Sequence, residues 1–86
     1  MTWGLLITNP AVRGLRKVPR VDMEHINEAF SEMCVDPYVG DVRFLRGTRA
    51  IFRRRVGDWR ILFELNKEAQ SIIVLAVKRR GSKTYS

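Results

Sequence analysis

With 86 residues the chain has room for one domain with a modest core, because a domain this small buries only about 60–65% of the surface its unfolded chain exposes. An apolar share of 45% and a charged share of 29% exclude a disordered chain, and no apolar run approaches the roughly 18–20 residues of a membrane span. The net charge is +7, with one cysteine and one histidine, which rules out an internal disulfide or a Cys/His zinc set and turns attention to anionic partners.

These bounds predict a cytoplasmic protein without metal, small-molecule cofactor or membrane contact, whose working site is a surface groove. The N-terminus has neither the basic start nor the long apolar stretch of a signal peptide. Charge is also divided along the chain. Residues 1–40 carry four basic and five acidic side chains, whereas residues 41–86 carry twelve basic and four acidic ones. The positive field of the second half attracts nucleic acid. A basic surface that serves only solubility is the alternative.

In chain order, Trp3–Thr8 is a short apolar run that reads as a strand. Asn9-Pro10 signals a helix start, since Asn caps and Pro suits the first helical position. Val12, Leu15 and Val18 space as one helical face, and Pro19 ends that helix. Asp22 is expected to cap a second helix, in which Met23, Ile26, Asn27, Phe30, Met33 and Cys34 form the apolar stripe and Glu24, Glu28 and Glu32 the wet face. Asp36-Pro37 closes it. Residues 38–50 read as a loop with a brief apolar patch at Val42, Phe44 and Leu45. Three strands follow: Ile51–Val56, Trp59–Leu65 and Ile72–Val77. The last is continuously apolar, as in a central strand covered on both faces. Residues 78–86 form a basic tail. The expected architecture is α+β, β-α-α-β-β-β over residues 1–86, with two antiparallel helices packed on one mainly antiparallel four-stranded sheet.

The hairpin carries most of the functional argument. A two-residue loop at Gly57-Asp58 sets the register, so that Val56 faces Trp59, Arg55 faces Arg60 and Phe52 faces Phe63. Alternation then puts Phe52, Val56, Trp59, Ile61, Phe63 and Leu65 on one face, with Arg54 out of place among them. The opposite face holds Arg53, Arg55 and Arg60, with Glu64 as the nearby acid. Like charges across a ladder destabilise it by about 0.2–1 kcal/mol. Three guanidiniums on one patch therefore suggest an anion to receive them, and guanidinium matches phosphate bidentately. Screened charges on a solvated strand are the plain alternative. The tail adds Lys78, Arg79, Arg80 and Lys83, followed by Tyr85. Tyr85 is either a stacking platform for an unpaired base or an ordinary frayed terminus.

The stretch FRRRVGDWRILFEL, followed by IIVLAVKRRGSKTY, resembles the C-terminal half of RelE-family toxins of the RelE/ParE superfamily. LRKVP at Leu15–Pro19, DPY at Asp36–Tyr38 and LRG at Leu45–Gly47 extend the resemblance over nearly the whole chain. It implies the toxin of a type II toxin–antitoxin system that enters the ribosomal A site, beside the 16S rRNA, and cuts mRNA without metal. Arg60 matches the hairpin arginine that braces the scissile phosphate. Arg53 and Arg55 match two basic positions that are commonly lysines, Arg79 the arginine after the last strand, and Tyr85 the terminal tyrosine near the substrate base. These five are the candidate catalytic residues, with Arg54, Lys78, Arg80 and Lys83 as further RNA-binding candidates. The resemblance also implies a cognate antitoxin, acidic where it meets the site.

One position departs from the pattern. Arg55 stands where some relatives place a lysine proposed as general base, and arginine stays protonated and makes a poor base. A ParE-like DNA gyrase inhibitor and a non-catalytic basic RNA-binding module are therefore the competing functions. Elsewhere, His25 falls on the acidic helix away from the arginines and Cys34 on the apolar helix face, where a core thiol is expected. No phosphate-binding glycine loop is present in the sequence.

Overall fold

The computed structural model describes residues 2–45 and 50–79. The first apolar run forms β1 (Gly4–Ile7), and Asn9–Leu15 forms α1. Thr8 rather than Asn9 occupies the N-cap, with Pro10 in the first turn. The Thr8 hydroxyl does not cap the helix; it donates to the carbonyls of Val74 (2.8 Å) and Leu75 (3.2 Å) and ties the β1–α1 junction to the sheet. Pro19 is the N-cap of α2 (Arg20–Val35), so Asp22, expected as the cap, lies within the first turn. Its carboxylate instead accepts a hydrogen bond from Trp59 Nε1 at 2.9 Å.

Four strands follow: β2 (Val42–Leu45), β3 (Ile51–Val56), β4 (Trp59–Asn66) and β5 (Ser71–Arg79). The sheet thus has five strands in the order β1-β5-β4-β3-β2, one more than expected. The extra strand is the apolar patch at Val42, Phe44 and Leu45, which pairs antiparallel along the edge of β3. Only β1 runs parallel to its neighbour, β5. The α+β architecture and mainly antiparallel sheet are as expected.

The hairpin register agrees with the reading of Gly57-Asp58: Val56 pairs with Trp59, Arg55 with Arg60 and Phe52 with Phe63. Gly57 has φ +57°, the left-handed conformation that such a turn requires. Both helices cover one face of the sheet, the inner face. There Ile61, Phe63, Ile72 and Val74 meet Ala11, Ile26, Ala29, Phe30 and Met33 in one core cluster. Burying Phe63 alone, which is fully inaccessible, contributes about 1.5–3 kcal/mol. Gly14 lets α1 lie directly on β5, since a Cβ there would run into the Val77 carbonyl.

β5 is central, between β1 and β4, but it is covered on one face only. Ile72, Val74 and Val77 are buried inward, whereas Ile73 and Ala76 are half-buried on the other side. Cys34 is likewise half-buried rather than a core thiol, with its carbonyl accepting from Trp3 N–H.

Candidate nucleic-acid interface

The sheet face turned away from the helices brings together three of the arginines singled out in the sequence, Arg53, Arg55 and Arg60. Cross-strand pairing aligns Arg55, Arg60 and Lys78 in one row across β3, β4 and β5. The adjacent row runs Arg43, Arg53, Leu62 and Ala76. Five cations thus share the end of this outer face nearest the hairpin turn. The row beyond is largely apolar, with Leu6, Ile73 and Ile51 around Glu64. Arg60 and Lys78 are exposed, and neither has an ion-pair partner among the described residues.

Arg53 and Arg55 are held differently. Asp41, just before β2, places Oδ1 3.3 Å from Arg53 Nη2 and Oδ2 3.6 Å from Arg55 Nη1. Its backbone carbonyl also accepts from Arg55 N–H at 2.9 Å. Asp41 escaped the sequence reading, which counted Glu64 as the acid of this face; the residue becomes relevant only once β2 folds back along β3. The Arg53 side chain is 14% exposed, and its buried Nε has no partner among the described residues.

Arg54, expected among the RNA-binding candidates, does not share this face. It points inward, is buried, and donates to Glu32 Oε1 at 2.7 Å and the Val39 carbonyl at 3.1 Å. It does not snorkel to open water; it finds an acceptor on α2 and another in the 36–41 segment. Arg79 also falls elsewhere than expected. It pairs with Trp59, so its register position lies on the inner-face side, and its guanidinium carbon sits 5.9 Å from the Trp59 ring centroid, a cation–π distance.

The cause is a β-bulge. Leu62 pairs with Ala76 but Phe63 with Val74, which leaves Leu75 as an extra residue on β5. Beyond a bulge, alternation inverts. Unbroken alternation from Ile72 and Val74 would have turned Arg79 outward; the bulge turns Lys78 outward beside Arg60 instead. Arg80, Lys83 and Tyr85 lie outside the described residues. His25 is exposed on α2. Among the described residues no group of three or more His, Cys, Asp or Glu side chains could hold a metal ion, and no helix is long and apolar enough to cross a membrane.

Five strands under two helices is an arrangement found among solved structures. A chain of the archaeal RelE–RelB complex from Pyrococcus horikoshii superposes with a TM-score of 0.83 at 28% identity, covering 94% of this chain and 98% of that one. A chain of a RelBE toxin–antitoxin complex from Mycobacterium tuberculosis gives 0.80 at 26% identity, with 95% of each chain covered. The chain belongs to the RelE/ParE superfamily. A YoeB/ParE toxin from Agrobacterium tumefaciens shares the fold at 18% identity and a TM-score of 0.76, over 90% of this chain and 98% of that one. No protein-family model and no curated protein sequence matches this RelE/ParE-superfamily chain. The likeness therefore lies chiefly in the backbone, and a shared fold does not by itself carry an activity.

Proposed function

We propose that the protein is the toxin of a type II toxin–antitoxin pair, and that it acts as an endoribonuclease on mRNA in the ribosomal A site. The observation that carries this reading is the outer-face row Arg55–Arg60–Lys78, with Arg53 beside it. Such a row runs across three strands, and strands lie about 4.8 Å apart. Successive cations at that spacing can contact one phosphodiester and its neighbour on an RNA strand laid across the sheet.

The reaction is attack of a ribose 2′-oxygen on the adjacent phosphorus. The new P–O bond closes a 2′,3′-cyclic phosphate, and the P–O5′ bond breaks to leave a 5′-hydroxyl once that oxygen gains a proton. Negative charge accumulates on the phosphorane oxygens. In this reading Arg60 and Lys78, exposed on neighbouring strands, receive it. Arg53 and Arg55 supply the rest of the clamp. Arginine also favours loss of the 2′-hydroxyl proton by stabilising the resulting anion, although it does not itself accept that proton. Accepting the 2′-hydroxyl proton and delivering one to the departing 5′-oxygen both fall in this reading to Tyr85 or to groups of the ribosome. Arg79, at the end of β5, is assigned to the leaving oxygen and has to leave its position over Trp59 to reach it. The cognate antitoxin is expected to present acidic side chains to the same face.

The test is cleavage on programmed ribosomes carrying a defined mRNA, with 5′ ends mapped. Wild-type protein should cut at A-site codons, and Arg60→Ala should cut at least tenfold more slowly, about 1.4 kcal/mol in barrier. Intact mRNA with folded wild-type protein would reject the nuclease reading. The second reading, a gyrase-directed toxin, gains from Arg55 at the base position and predicts inhibition of DNA supercoiling instead.

A further inference from the structure

Asp41 occupies a place on the cationic face where two guanidiniums converge. Each of its carboxylate oxygens addresses a different arginine, at 3.3 Å for Arg53 and 3.6 Å for Arg55. Two oxygens of one group set between two guanidiniums is also how the non-bridging oxygens of a phosphodiester would sit.

The fold holds Asp41 there by a chain of contacts. Arg54, buried beneath, grips the Val39 carbonyl and anchors it to Glu32 on α2. Gly40 has φ +88°, and a Cβ on it would collide with the Arg54 guanidinium, so only glycine lets the segment lie this close. The Asp41 carbonyl then accepts from Arg55 N–H. Position is therefore set by the backbone, while the carboxylate itself is half exposed and its ion pairs are long. A contact of 3.6 Å on an exposed carboxylate is weak enough for a competing anion to displace.

We propose that Asp41 is a built-in competitor for the phosphate-binding arginines: it keeps Arg53 and Arg55 convergent in the free protein and yields them to a phosphodiester as RNA docks. The device rests on the RNA-directed reading of the outer face, and it restrains binding to RNA in general. An RNA strand has to displace one carboxylate before it gains the full clamp, so every RNA meets the same penalty, and one that other groups also hold in place stays bound in spite of it.

The experiment measures binding, not cleavage. A short fluorescein-labelled 2′-O-methyl RNA lacks the attacking hydroxyl and reports affinity by fluorescence anisotropy over a series of KCl concentrations. Asp41→Asn is compared with Glu28→Gln, which makes the same charge change on the exposed face of α2. Asp41→Asn should bind about fivefold more tightly than Glu28→Gln at low salt, and its log–log salt slope should steepen by about 0.7, one additional phosphate on a single strand. Asp41→Glu should fall back toward wild type. Equal affinities and slopes for the Asn and Gln variants would overturn the proposal, and so would weaker binding by a folded Asp41→Asn, because the carboxylate would then support the clamp. Thermal melting establishes folding, and Asp41→Ser reads the same quantity if Asn is unstable. Tighter binding by Asp41→Asn together with uncut mRNA on ribosomes would uphold the competitor and reject the nuclease. The converse pair of results would reject the competitor alone.

Discussion

Arg53, Arg54 and Arg55 are consecutive on β3, yet the two faces of the sheet treat them in opposite ways. Arg54 turns inward and is buried, and Glu32 and the Val39 carbonyl receive its guanidinium. Arg53 and Arg55 turn outward and share a single half-exposed carboxylate, next to Arg60 and Lys78, which have no ion-pair partner among the described residues. The inner arginine is neutralised by the fold, and the outer ones are left with charge to spare. The same side chain is thus a structural brace on one face and a cation open to solvent and anions on the other, with orientation alone deciding which.

The largest effects are expected on the inner face. Phe63→Ala removes a fully buried ring that stacks on Phe52 at 5.5 Å between centroids, and should cost about 3–5 kcal/mol in urea denaturation. A loss under about 1 kcal/mol would mean that this face is not the core. Arg54→Met keeps the volume but strips the Val39 carbonyl of its donor and Glu32 of its partner. It should lower stability by about 2 kcal/mol without weakening RNA binding, since Glu32 remains half exposed and is not stranded. Reduced RNA affinity in that variant would return Arg54 to the binding set.

Arg60→Ala is the outer-face counterpart. Its urea midpoint should stay within about 0.5 kcal/mol of wild type, or rise slightly as repulsion from Arg55 across the ladder is relieved. Its cleavage should nevertheless fall at least tenfold, about 1.4 kcal/mol. A large stability loss would place Arg60 among the braces. The smallest effect belongs to Trp59→Phe, which deletes the indole N–H bonded to Asp22 and should cost about 1 kcal/mol, seen as a lowered urea midpoint. An equal loss in Asp22→Ala, with no further loss in the double variant, would assign the cost to that one hydrogen bond.

The hairpin was legible in advance because a two-residue Gly-Asp turn leaves one register, and a register in a half-buried sheet assigns every side chain to a face. The strand β2 was not legible. Val42-Arg43-Phe44-Leu45 shows no clean alternation and is too short to pair on any terms but those of the β3 edge beside it. Asp22 looked like a cap because an acidic residue before an apolar stripe usually is one. Pro19 started the helix one turn earlier and left Asp22 to the Trp59 indole, 37 residues away in sequence. Asp41 had no signal at all, since its meaning depends on a segment folding back over a strand that follows it.

Periodicity and turn chemistry acting over a few residues account for the α+β architecture, the hairpin register and the gathering of Arg53, Arg55 and Arg60 on one face. Only the tertiary structure decided which cation from the end of β5 joins them. A single extra residue at Leu75 inverts the alternation and brings Lys78, not Arg79, beside Arg60. Side-chain direction along a strand is a parity, and parity downstream of a bulge is set by where the neighbouring strand, and the Thr8 hydroxyl bonded at that point, allow the extra residue to be accommodated.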